Sequence, residues 1–164
     1  MAQVDTWEDG SNATYLDSFY NVTMAVGPVG TAPNRRDDVL LVQYLFANIV
    51  DAGVWVPPKT AKPFQVNGRM GPALAEWIKA YQASKQAFLF QDGRIDRALG
   101  ARTSNSQMQY TILVLNNDFQ TANLKKFEAL EDDAEAPAEL RAAIKISRAR
   151  GAKGLPYVSP GVIN

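Results

Sequence analysis

The chain has 164 residues, 46% of them hydrophobic and 21% charged, with 17 basic and 17 acidic side chains in balance. That composition fits one well-packed globular unit with extensions, and it excludes the broad basic field that holds nucleic acid or anionic lipid. Cysteine and histidine are both absent, which removes disulfide frameworks, thiolate chemistry, histidine-based acid–base catalysis and histidine metal ligation.

The first ten residues hold Asp5, Glu8 and Asp9 and lack the basic-then-apolar order of a secretory leader, so the expectation is a chain made and kept in the cytoplasm. Residues 1–33, rich in Gly, Asn, Asp, Thr and Pro with Trp7, Tyr15, Phe19 and Tyr20 scattered among them, read as an extended arm with aromatic anchors. Within it Tyr20, Val22, Met24 and Val26 alternate with polar or small residues, which predicts a short strand ending at Gly27-Pro28.

A first helix is expected from Asn34, a capping residue type, with Asp37 and Asp38 in the positive first turn. Val39, Val42, Leu45, Phe46 and Ile49 then fall on one face, and Gly53 ends the run. Pro57, Pro58 and Pro63 make Trp55 to Phe64 a loop. Asn67-Gly68 marks a turn, and Gly71-Pro72 opens a second helix with Leu74, Trp77, Ile78 and Tyr81 as its apolar stripe. Asp92-Gly93 marks another turn, followed by a polar stretch from Gly100 to Ser106 that reads as a loop or domain edge. Ile112, Leu115 and Phe119 favour a third helix over a strand. Six acids lie between Glu128 and Glu139 and five bases between Arg141 and Lys153; these blocks either face solvent, pair along helix faces or meet another chain. Pro137 is placed in the first turn of a last helix, Ala138 to about Arg150, with Leu140, Ala143 and Ile144 inward. The tail from Leu155 to Asn164 is expected to be extended. No apolar run approaches the roughly 18 residues that span a bilayer, so no membrane insertion is expected.

Three pieces stand in order: Asp38-Val39 through Val42-Gln43; Val66-Asn67-Gly68-Arg69-Met70-Gly71-Pro72 leading to Trp77 and Tyr81-Gln82; and Asp92-Gly93-Arg94-Ile95-Asp96. Together they resemble the peptidoglycan-binding-like domain family over residues 26–97. Asn67 stands where that family usually has Asp, Met70 where it has an aromatic residue, and Tyr81 where it has Phe. The resemblance implies a three-helix module over residues 34–100; with the helical extension read over 101–154 and the extended ends read over 1–33 and 155–164, the fold is expected to be mainly α. Met70 is expected to plug the core, and Gln43 and Gln82 to bond the loop backbone.

Candidate ligand-binding residues are Trp55, Asn67, Arg69, Asp92 and Arg94. An exposed Trp55 or Tyr44 would stack on a sugar or a partner, or else lie as a lid over the core. Arg69 and Arg94 each follow a turn glycine and suit a carboxylate, or else serve as plain surface residues. Trp77 belongs to the core stripe. With no histidine, no thiol, no Ser-x-x-Lys, and Glu76 read as a solvated helix residue, the chain is expected not to be an enzyme and to need no cofactor or metal. The resemblance implies a non-catalytic module for bacterial peptidoglycan. The competing expectation is a structural or adaptor component of a phage particle or a contractile injection or secretion assembly, joining protein partners or further copies through residues 1–33 and 155–164.

Overall fold

The computed structural model describes residues 1–7, 18–85, 89–100, 103, 108–151 and 153–155. Its helices follow the apolar stripes. Helix α1 (Arg36–Asp51) buries Val39, Val42, Leu45, Phe46 and Ile49. It stops at Gly53, whose φ of +71° lets the amides of Gly53 and Val54 turn back onto the carbonyls of Val50 and Ile49, both at 3.0 Å. Helix α2 (Pro72–Ser84) starts with proline in its first turn and buries Leu74, Trp77, Ile78 and Tyr81. Helix α3 (Thr111–Ala122) packs on α1 and buries Ile112, Leu115 and Phe119. A short α4 (Leu124–Glu128) and a single 3-10 turn (Leu130–Asp132) lead to α5 (Ala138–Arg150), which buries Leu140, Ala143 and Ile144. Pro137 sits at its N-cap position, just outside the expected first turn. Among the described residues no helix is long and apolar enough to cross a membrane.

The chain ends depart most from expectation. Residues 3–7 form strand β1 (Gln3–Trp7), the centre of a three-stranded sheet flanked by β2 (Ser18–Asn21) and β3 (Lys153–Leu155). β1 runs antiparallel to β2, with Val4 opposite Tyr20, and parallel to β3, with Asp5 opposite Lys153. The segment expected as an arm over 1–33 is therefore largely built into the fold: Ala2, Val4, Phe19, Tyr20, Val22 and Val26 are buried in the same core as the helices. Leu155, expected to open the tail, ends β3; Tyr15 and residues 156–164 lie outside the described residues. The core is continuous from Ala2 to Ile144, so the boundary expected near residue 100 does not separate two cores.

Two local readings are also corrected. The strand predicted from Tyr20 to Val26 leaves the sheet after Asn21, because the amides of Thr23 and Met24 bond instead to the Asp38 carboxylate at 2.9 and 3.0 Å. Val26 then forms an isolated bridge with Ile95. Asn34 does not cap α1: it adopts φ +49°, its side chain accepts from the Gly27 amide at 2.9 Å, and Arg35 occupies the N-cap position. The two first-turn acids also serve the N-terminal segment, Asp37 accepting from the Ala2 amide at 2.7 Å and Asp38 from Thr23 and Met24.

On the far side of β2 the sheet ends against a side chain. Asn116 of α3, fully buried, accepts from the Tyr20 amide and donates to the Tyr20 carbonyl, both at 2.8 Å. One side-chain amide thus supplies the donor and acceptor that a neighbouring strand would supply. At the other end of the chain, Arg148 pairs with Glu131 at 2.5 Å, joining the acidic block to the basic one within the molecule.

Burial pushes the Asp38 carboxyl above its ordinary range, the hydrogen bonds from Thr23 and Met24 oppose the shift, and the charge of Asp37 adds to it. A carboxyl raised in the folded state contributes stability that is fully present below the unfolded value of about 3.9 and is lost as pH rises through the folded value. Lowering the pH from about 7 to about 4 is therefore expected to stabilise the protein relative to its Asp38→Asn variant. Urea melts of both chains across that range measure the gap; a gap that stays constant or narrows on acidification would contradict the assignment.

Candidate functional site

Two turns of the same construction shape the surface above α1 and α2. In the first, the Gln43 side chain accepts from the amides of Asn67 and Gly68 at 3.0 and 2.8 Å and donates to the Arg69 carbonyl at 3.1 Å. Asn67 closes the turn by accepting from the Arg69 amide at 2.9 Å. In the second, Gln82 accepts from the Gly93 amide at 2.8 Å and donates to the Arg94 carbonyl at 2.9 Å, while Asp92 accepts from the Arg94 amide at 3.0 Å. Gly68 and Gly93 hold φ of +75° and +71°. A side chain there would be strained, and at Gly68 a Cβ would lie 2.7 Å from Arg36 Cγ and 3.1 Å from the Arg36 carbonyl oxygen. The expected role of the two glutamines is what the bonds display: each is a buried amide that satisfies the inward-facing backbone of one tight turn. The device occurs twice at unequal spacing, 24 residues from glutamine to turn in the first case and 10 in the second, so no fixed period reveals it.

The sequence candidates fare differently. Trp55 is only 8% exposed, so of its two readings, platform or lid over the core, the structure shows the buried one, and its ring lies 5.3 to 5.8 Å from those of Phe46, Trp77 and Tyr81. Tyr44 is likewise buried, with its hydroxyl bonded to Asp133; burial and that carboxylate both push the phenol up, so it stays protonated. Trp77 lies in the core as expected and donates to the Lys62 carbonyl at 2.8 Å. Met70 is partly buried and packs on the same core. Asn67 and Asp92 both use Oδ1 to close their own turns. Arg69 is exposed. Arg94 has its Nε on Asp96 at 2.7 Å and one terminal nitrogen on the Thr31 carbonyl at 2.8 Å.

Beside the second turn opens a groove of about 490 Å³. Asp92 and Arg94 line it; Trp55, Asn67 and Arg69 do not. Its apolar lining comes from Met24, Phe90, Leu99 and Tyr110, of which Phe90 and Leu99 are 49% and 60% exposed. Asp96 and Arg97 add charge. These elements converge because the bridge between Val26 and Ile95 lays the segment after Asn21 against the segment after Gly93. The groove offers exposed apolar surface for a nonpolar or sugar face, with guanidinium and carboxylate groups within one cleft. Phe90, Leu99 and Arg97 belong to no recognisable sequence motif; the nearest signal is the apolar run Phe88-Leu89-Phe90 just before Asp92-Gly93.

Among the described residues no three acidic side chains cluster as a metal site would require. Compared with protein-family models, with curated proteins and with solved structures, the chain matches none.

Proposed function

We propose that the chain is a non-catalytic binding module for bacterial cell-wall peptidoglycan, and that the groove beside Asp92-Gly93-Arg94 is its contact face. The observation behind this reading is the groove itself, where exposed Phe90 and Leu99 adjoin Arg94, Arg97 and two carboxylates. A glycopeptide presents the complementary chemistry: apolar sugar faces and methyl groups next to charged stem residues. The order of the sequence motifs, which resembles peptidoglycan-binding-like domains, supports the same ligand. Of the sequence candidates, Asp92 and Arg94 belong to this face, while Trp55 is buried and Asn67 and Arg69 lie outside the groove's lining.

The competing assembly reading drew its support from free ends and segregated charge. Of these, β1 and β2 pair within the sheet and Arg148 pairs with Glu131, whereas residues 8–17 and 156–164 lie outside the described residues.

Co-sedimentation with purified sacculi tests the proposal. Saturable binding is expected, and Leu99→Asp, a change at an exposed position, should weaken it about tenfold, or roughly 1.4 kcal/mol. Folded wild-type protein that stays in the supernatant would sink the reading.

A further inference from the structure

One cation in the groove has no ion-pair or hydrogen-bond partner among the described residues. Arg97 is half-buried, its Nε is sealed from solvent, and that nitrogen has no hydrogen-bond partner. Its guanidinium makes no ion pair with any described residue, in contrast to Arg94 three positions earlier, which holds both Asp96 and Thr31. A buried donor left unpaired is unfavourable, and native proteins hold few of them. Because Nε is sealed, a ligand in the groove meets Arg97 through its terminal nitrogens.

We infer that Arg97 is the carboxylate anchor of this groove and that the ligand it receives is a short peptide with a free terminal carboxylate. A planar guanidinium matches a carboxylate by paired N–H bonds. Next to it, Phe90 and Leu99 offer an apolar shelf for small side chains such as the methyl of alanine. Asp92 engages its turn through Oδ1 alone, leaving Oδ2 without a partner among the described residues and able to accept from an ammonium or amide of the same ligand. With Asp96 paired to Arg94, the free charges in the cleft are Asp92 and Arg97, a balance that suits a singly charged carboxylate better than a doubly charged phosphate. The inference rests on the reading of the groove as the peptidoglycan contact face and specifies which part of that polymer it grips: the peptide stem, through its terminal carboxylate, in preference to the glycan strand.

The test uses the full chain and tri-alanine, its C-terminal amide and inorganic phosphate as probes, with amide chemical shifts followed by NMR. Tri-alanine should bind at the groove at least about tenfold more tightly than its amide, and phosphate should leave the shifts unchanged. Arg97→Met should bring tri-alanine down to the affinity of the amide while leaving the stability of the free protein unchanged or higher, because the buried unpaired donor is gone. An arginine that served only the fold would give the opposite pattern, with lost stability. Equal binding of acid and amide by the wild-type chain overturns the inference whatever the variant does, and so does equal binding of phosphate. If sacculi sediment the protein while tri-alanine and its amide remain indistinguishable, the carboxylate anchor fails and the wall-binding reading stands. If tri-alanine binds and sacculi do not, the anchor stands and the wall-binding reading fails.

Discussion

Asn116→Leu is expected to cost about 3–5 kcal/mol of folding stability, a large share of the 5–15 kcal/mol typical of a whole domain. Leucine keeps asparagine's branching at Cγ but is bulkier, so some overpacking adds to the cost. It cannot accept from the Tyr20 amide or donate to the Tyr20 carbonyl, and both groups lie in the dry interior between β2 and α3. Each buried backbone group left without a partner costs about 1–3 kcal/mol. The lost bond from Asn116 to the Ile112 carbonyl, at 2.8 Å, matters less because that carbonyl lies within the helix. Asn116→Asp should also be damaging, since it keeps the acceptor but turns a carboxylate oxygen toward the Tyr20 carbonyl. At the adjacent half-buried Asn117, leucine should shift stability by no more than about 1 kcal/mol. Urea unfolding of the three variants at constant m-value measures this order, and an Asn116→Leu protein as stable as the wild type would refute the account of the sheet edge.

The second large effect separates the two turns. Gln82→Leu orphans the Gly93 amide and the Arg94 carbonyl and removes a 3.0 Å bond to Thr111; Gln43→Leu orphans the amides of Asn67 and Gly68 and the Arg69 carbonyl. Each should cost about 2–4 kcal/mol, part of the loss at Asn67 being recovered from water because that residue is exposed. Their consequences for binding should differ. Releasing the second turn displaces Asp92 and Arg94 in the groove, so Gln82→Leu should lose sacculus binding at a temperature where the protein is still folded. Gln43→Leu, equally destabilised, should keep it. Parallel melts and sedimentation assays check both halves, and equal loss of binding in the two variants would mean that the groove is not the contact face.

The helical part of this fold is legible in the sequence because each helix carries its own apolar stripe. Val39 to Ile49 and Leu74 to Tyr81 announce their buried faces without reference to anything distant. Gly53, Gly68 and Gly93 are legible for the same reason, since a tight turn demands glycine locally. The sheet is not. β2 has four residues and β3 three, Lys-Gly-Leu, too few to show alternation, and β3 pairs with a strand at the opposite end of the chain. Asp37 and Asp38 were legible in part: both stand in the first turn of α1 as expected, and they also take amides from the N-terminal segment, a choice that only tertiary packing reveals. The groove was half legible. Asp92 and Arg94 flank a recognisable turn, whereas Arg97 follows no periodicity, and its significance lies in a missing partner, which no sequence displays. Trp55 illustrates the converse: a tryptophan in a proline-rich loop gives no sign of which way it faces, and here it faces the rings of Phe46 and Tyr81.

The central strand of the sheet is the first one made, and what holds it on its far side comes last. The Val4 amide bonds at 2.8 Å to the hydroxyl of Ser147, 143 positions along the chain, and β3 joins β1 only beyond that point. Contacts of such range are slow to form, because the entropy of closing a very long loop must be met before any bond offsets it. During synthesis, then, β1 and β2 can pair as a hairpin while one side of β1 waits open, and the helices must assemble before that side closes. Segments that complete a fold last are also exposed to strand-pairing errors for longest, so the kinetic weak point of this molecule is the vacant flank of its earliest strand.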